Sequence, residues 1–156
     1  MQIANSKFFT LHFASCILIE AWTSASQAHA EHYDKIIRLS LTSSKPAYSN
    51  GEPVELSLTV TNVTKEPVTL TFRSAKQYDF LIKKDGQELW RWSEGKMFAM
   101  VLTHLKLNPE ETKIFRVVWP QTDKTNHQVN PGSYEAVGIL PVSGNALSVS
   151  APLKIE

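Results

Sequence analysis

An antiparallel β-sandwich of eight or nine strands is the fold the sequence predicts, and three observations carry it. Apolar residues recur with a period of two over most of the chain after residue 35; the runs that show it are short and evenly spaced; and turn-forming clusters stand between them. Together they point to an all-β domain of immunoglobulin-like type. The 156-residue chain has one cysteine, Cys16, so no disulfide forms within it and packing must supply the stability.

The clearest element is "VELSLTVTN" at 54–62, with Val54, Leu56, Leu58 and Val60 on one face and Glu55, Ser57, Thr59 and Thr61 on the other. "VTLTF" at 68–72 repeats the pattern with Val68, Leu70 and Phe72 inward, and the polar "VTKEP" between the two predicts a hairpin. Further strands are expected at 36–42, 79–83, 88–92, 97–105, 113–119, 133–140 and 146–155, separated by "SNGEP", "KDGQ", "SEGK", "NPEE", "NPGS" and "SGN". "KMFAMVLTHLKL" at 96–107 is the most ambiguous, because its apolar residues also suit a helical turn. Trp119 should close the core with Phe115 and Val117, and Pro120 should end that strand. Tyr134, after "NPG", should enter the core with its hydroxyl bonded.

The stretch "YDFLIKKDGQELWRWSEGKMF" at 78–98 poses a question of register, since a one-residue slip moves every side chain to the other face. A two-residue turn at Asp85 and Gly86 mixes apolar and charged residues on both faces. A three-residue loop, Lys84 to Gly86 with Gly86 in the left-handed conformation, pairs Phe80 with Trp90 and Tyr78 with Trp92, and sets Asp79 against Arg91 on the opposite face. The longer loop is therefore expected. Tyr78, Phe80, Ile82, Trp90 and Trp92 would line the core, and truncating either tryptophan to alanine would cost about 3 to 5 kcal/mol.

Residues 1–30 read as a signal peptide: Lys7 supplies positive charge, "FFTLHFASCILI" an apolar run, and Ala28 and Ala30 the small residues before a cut. His12 interrupts that run and Glu20 ends it, leaving it short of the roughly twenty apolar residues that span a bilayer. "FASC" loosely resembles a lipobox in which Cys16 would be lipidated, but Phe13 replaces the usual leucine. Cleavage before Glu31 would leave 31–156 as one exported domain, secreted, periplasmic or at the cell envelope. The formal net charge is +1 and no basic block stands out, which argues against a nucleic-acid partner.

Chemistry-bearing patterns are few. Ser93 in "WSEG" lacks the flanking glycines of a nucleophile elbow, so no catalytic residue is assigned. His32, Asp34, His104 and His127 form no metal-ligand spacing, and neither a metal nor a cofactor is expected. "NVT" at 62–64 fits a glycosylation sequon.

"NVTKEPVTLTF", the aromatic stretch at 78–98, "LKLNPEETKIFRVVW" and "NPGSYEAVG" together strongly resemble the intracellular proteinase inhibitor family of BsuPI type, over about residues 54 to 140. Trp90 to Ser93 with Gly95 to Phe98 is the most specific part. The resemblance implies an immunoglobulin-like sandwich and inhibition of subtilisin-like serine proteases, without assigning an inhibitory residue. The chain departs from the family pattern in its export signal and in "LNPEE" at 107–111, which lacks the expected glycine.

An inhibitor must offer an exposed, preorganised segment, so that little entropy is lost on binding. Loops at a sandwich end suit that task. Ser93, Glu94, Gly95 and Lys96 are the candidate loop for rigidity, and "PQTDKTNHQVNPG" at 120–132 is the candidate for reach. A protruding, extended 93–96 would favour an inhibitor; a tight turn packed on its neighbours would favour the other reading, an envelope module recognising a protein or glycan.

Overall fold

The computed structural model describes residues 35–156; the expected signal peptide, Cys16, His32 and Asp34 lie outside the described residues. Ten strands run in chain order: β1 Ile37–Ser43, β2 Ala47–Tyr48, β3 Val54–Asn62, β4 Val68–Phe72, β5 Asp79–Lys84, β6 Gln87–Arg91, β7 Thr103–Leu107, β8 Thr112–Trp119, β9 Gly132–Leu140 and β10 Leu147–Ile155. They form a three-stranded sheet β1-β3-β8, a five-stranded sheet β2-β10-β9-β5-β6 and a two-stranded sheet β4-β7. Among the described residues, the only parallel pairing is the short one between β2 and β10. The protein is an immunoglobulin-like β-sandwich, as its alternating pattern requires.

Its core takes one face of each strand. Val54, Leu56, Leu58 and Val60 of β3, Phe115, Val117 and Trp119 of β8, and Phe80 and Ile82 of β5 meet Tyr134, Ala136 and Leu140 of β9. Trp119 therefore closes the core with its expected neighbours, and its indole N–H donates to the carbonyl of Thr122 (2.8 Å). Tyr134 is buried, and its hydroxyl donates to the carbonyl of Asn130, four residues upstream. Gly138 leaves room for Leu58 of the facing sheet: a Cβ built there would sit 2.8 Å from Leu58 Cδ1.

Three expectations are corrected. β3 and β4 make no hairpin, because β3 pairs with β1 and β8 whereas β4 pairs with β7. The reason is Asn62. It continues the inward parity of β3 and is wholly buried, so its amide must be satisfied inside. Its Nδ2 donates to the carbonyls of Glu66 (2.8 Å), Leu107 (3.1 Å) and Asn108 (3.0 Å), and its Oδ1 accepts from the N–H and hydroxyl of Thr64. That knot ends β3 and directs the chain into the β4-β7 pair. It also removes the Asn62 amide from the surface, so the "NVT" sequon is not accessible in the folded domain.

The second correction concerns the β5–β6 turn. Asp85 (φ 51°) and Gly86 (φ 78°) both have positive φ, and Lys84 pairs with Gln87, so the turn has two residues. The register then shifts: Lys83 faces Glu88, but Ile82 faces Trp90 and Leu81 faces Arg91, leaving Leu89 as the extra residue of a bulge. The bulge restores the parity that the short turn would have lost. Phe80, Ile82, Trp90 and Trp92 thus share the inner side, with Phe80 and Ile82 fully buried and Tyr78, Trp90 and Trp92 half-buried against the core.

Third, only the second part of the run expected at 97–105 is a strand. β7 begins at Thr103, and residues 97–102 pair with no strand among the described residues. The two-residue β2 escaped the sequence reading.

Candidate functional site

The site begins at Asp79, the first residue of β5. Its side chain is 1% exposed, and a buried carboxylate requires charged or hydrogen-bonded partners. Oδ2 accepts from the Ser93 hydroxyl (2.6 Å), Arg91 Nη1 (3.0 Å) and Lys76 Nζ (3.1 Å); Oδ1 accepts from the backbone N–H of Phe80 (2.9 Å) and Ser93 (3.2 Å). Burial alone would raise its pKa, but the Ser93 hydroxyl, Lys76 and Arg91 together hold it below the ordinary aspartate value. Arg91 is steadied from the other side by Glu88, whose carboxylate it meets at 2.7 Å. The contact expected between Asp79 and Arg91 therefore forms, on a diagonal rather than between directly opposed residues.

Ser93 fastens the turn that follows. The N–H of Glu94 donates to the carbonyl of Arg91 (3.2 Å) and that of Lys96 to the carbonyl of Ser93 (3.1 Å), with Gly95 at φ 72°. Residues 93–96 are thus a tight double turn, not an extended strand. Ser93 is half-buried, while Glu94, Gly95 and Lys96 are exposed. Lys96 folds back so that its Nζ lies 3.7 Å from the centre of the Trp92 ring.

The chain then opens into an exposed apolar stretch. Met97 is 97% and Met100 84% exposed, and Val101 and Leu102 are exposed as well. The stretch is held at points: the N–H of Ala75 donates to the carbonyl of Ala99 (2.9 Å), and the Thr103 hydroxyl to the carbonyl of Ser74 (2.9 Å). Phe98 leans on Trp92 at 5.9 Å between ring centres. Trp92 in turn stacks on Tyr78 (4.4 Å), and Tyr78 on Phe115 (4.6 Å). A row of four rings therefore runs from the surface stretch to the core strand β8. The sequence reading missed Met97–Leu102 because it assigned those residues to a strand; the signal was the loss of alternation in "MFAMVL".

The other candidate loop is tied down throughout. Gln121 is buried, its Nε2 donating to the carbonyls of Ser49 (2.9 Å) and Glu52 (2.6 Å), while Asp123 Oδ1 accepts from the N–H of Thr125 and of His127. The N–H of Lys124 donates to the carbonyl of Leu89 (3.0 Å), so this loop covers the outer edge of β6. Its reach is spent on the fold.

Residues 41–145, which hold the whole Asp79–Leu102 arrangement, match the family model described as BsuPI, intracellular proteinase inhibitor. The chain belongs to the BsuPI family. This BsuPI domain also resembles solved structures at low identity. The sporulation control protein Spo0M from Bacillus subtilis is 19% identical with a TM-score of 0.48, over 78% of this chain and 49% of that one. The BsuPI chain thus spans about half the length of Spo0M. The CARDB domain of the PF1109 protein from Pyrococcus furiosus, determined with di-metal ions, is 12% identical with a TM-score of 0.45, over 77% of this chain and 87% of that one. No curated protein sequence matches the chain.

Proposed function

We propose that this BsuPI module is a non-enzymatic inhibitor of a subtilisin-like serine protease, acting through the loop that starts at Ser93–Lys96 and continues to Leu102. The tight turn at 93–96 taken alone favours the envelope module. The observation that carries the inhibitor reading is the exposed apolar stretch 97–102 standing on a fixed base, where Asp79 clamps the double turn, Ala75 holds Ala99, and the ring row supports Phe98. A segment held in place before binding loses little conformational entropy on docking. The family's description supports a protease as the partner in general. The competing glycan-binding reading finds no stacking surface at Trp92, since Tyr78 lies against one face of its ring and the Lys96 ammonium against the other.

Titration of the purified protein against a fixed amount of a subtilisin-like protease tests this. Activity should fall to near zero at about equimolar protein, with the module intact by mass. Unchanged protease activity, or rapid digestion of the module, would transfer the proposal to a protein-recognition role at the envelope. We further propose that the protein is exported, and that its mature form starts at Glu31. Mass spectrometry of the secreted or envelope fraction should find that N-terminus; an uncut chain or a lipid on Cys16 would contradict it.

A further inference from the structure

We propose that Met97 is the side chain this module presents to the primary specificity pocket of its target, and that the pocket is apolar. The inference rests on the inhibitor reading and deepens it. An extended chain turns successive side chains to opposite sides. The side chains of residues 96–98 alternate in that way: Lys96 and Phe98 both lean on Trp92, at 3.7 Å and 5.9 Å from its ring centre, while Met97 between them is 97% exposed. Its two neighbours are thereby fixed and Met97 projects alone.

The backbone is held on both sides as well. The N–H of Lys96 is bonded to Ser93, and the carbonyl of Ala99 to Ala75. Among the described residues, no backbone hydrogen bond engages the N–H or carbonyl of Met97 or Phe98. Those groups remain free to pair with a cleft that receives a peptide as an added strand. A serine protease presents such a cleft, with a pocket whose lining decides which side chain it accepts. An unbranched, uncharged thioether suits an apolar pocket and not one with a carboxylate at its base. Met100 is a weaker candidate, because the chain bends directly after it at Val101.

The test compares wild type, Met97→Asp and Met97→Arg against a subtilisin-like protease and against trypsin, with thermal midpoints confirming that all three fold alike. Met97→Asp should bind the subtilisin-like enzyme about a hundredfold more weakly. Met97→Arg should inhibit trypsin about a hundredfold more strongly than wild type, since arginine matches a pocket with a carboxylate at its base. If wild type inhibits and both variants behave like it, the Met97 assignment is wrong while the inhibitor reading stands. Where wild type inhibits no subtilisin-like enzyme but Met97→Arg blocks trypsin, the presentation of residue 97 holds and the proposed target falls. Failure of every protein against both enzymes overturns both, and sedimentation showing that wild type dimerises while Met97→Asp does not would make the stretch a self-association face instead.

Discussion

The carboxylate of Asp79 is both a buried charge and the clamp of an exposed loop, which ties the loop to pH. Its folded pKa lies below the unfolded value near 3.9, so the stabilisation it confers is fully present above about pH 4 and is lost as pH falls through the folded pKa. Urea unfolding between about pH 5 and 2 should therefore show a stability loss in wild type that is smaller in Asp79→Asn. At neutral pH, Asp79→Ala should cost about 1 to 3 kcal/mol, because the hydroxyl and N–H of Ser93 lose their acceptor, while Arg91 keeps Glu88. The sequence pattern sets Asp79 against Arg91 on the face away from the aromatic rings; it could not reveal that Lys76 and Ser93 converge there as well. Asn62 is the opposite case: on sequence it reads only as part of a sequon, although its even position in β3 continues the inward face. Asn62→Ala should lower unfolding stability by at least about 2 kcal/mol, because the buried carbonyl of Leu107 loses its donor along with those of Glu66 and Asn108.

Between elements, the β5–β6 hairpin was readable in its outcome but not in its means. The separation of Trp90 and Trp92 from Asp79 and Arg91 follows from side-chain character, and two devices achieve the same parity: a three-residue loop, or a two-residue turn with a bulge. Asp85 and Gly86 both accept positive φ, which favours the short turn, and Leu89 absorbs the mismatch. Sequence parity cannot distinguish the two. The consequence for energetics is that the tryptophans are not equivalent to full core residues. Trp92→Ala should cost about 2 kcal/mol, less than the 3 to 5 expected of the fully buried Trp119→Ala, in chemical denaturation at neutral pH. Its larger effect should appear as faster hydrogen exchange at Ala75, whose N–H bond secures the exposed stretch.

For the whole molecule, β3 and β4 emerged from the sequence with their final bounds, since nine and five residues of unbroken alternation leave little freedom. Their partners did not emerge. A short polar connection reads as a hairpin whether the chain returns beside itself or passes to another sheet, and only the buried amide of Asn62 decides between the two. The close approach of Leu58 and Leu41 to Gly138 across the core was equally hidden. Gly138→Ala should push Leu58 out of place and destabilise the sandwich by about 1 to 3 kcal/mol, read as a lowered thermal midpoint.

The ring row gives the molecule an optical consequence. Trp92 sits between an aromatic stack and an ammonium group, next to the stretch proposed to meet a partner, whereas Trp119 is sealed in the core. Docking that moves Lys96 or excludes water from Trp92 would change the emission of that indole against a background from Trp90 and Trp119. The protein thus carries its own fluorescent reporter, placed where engagement occurs.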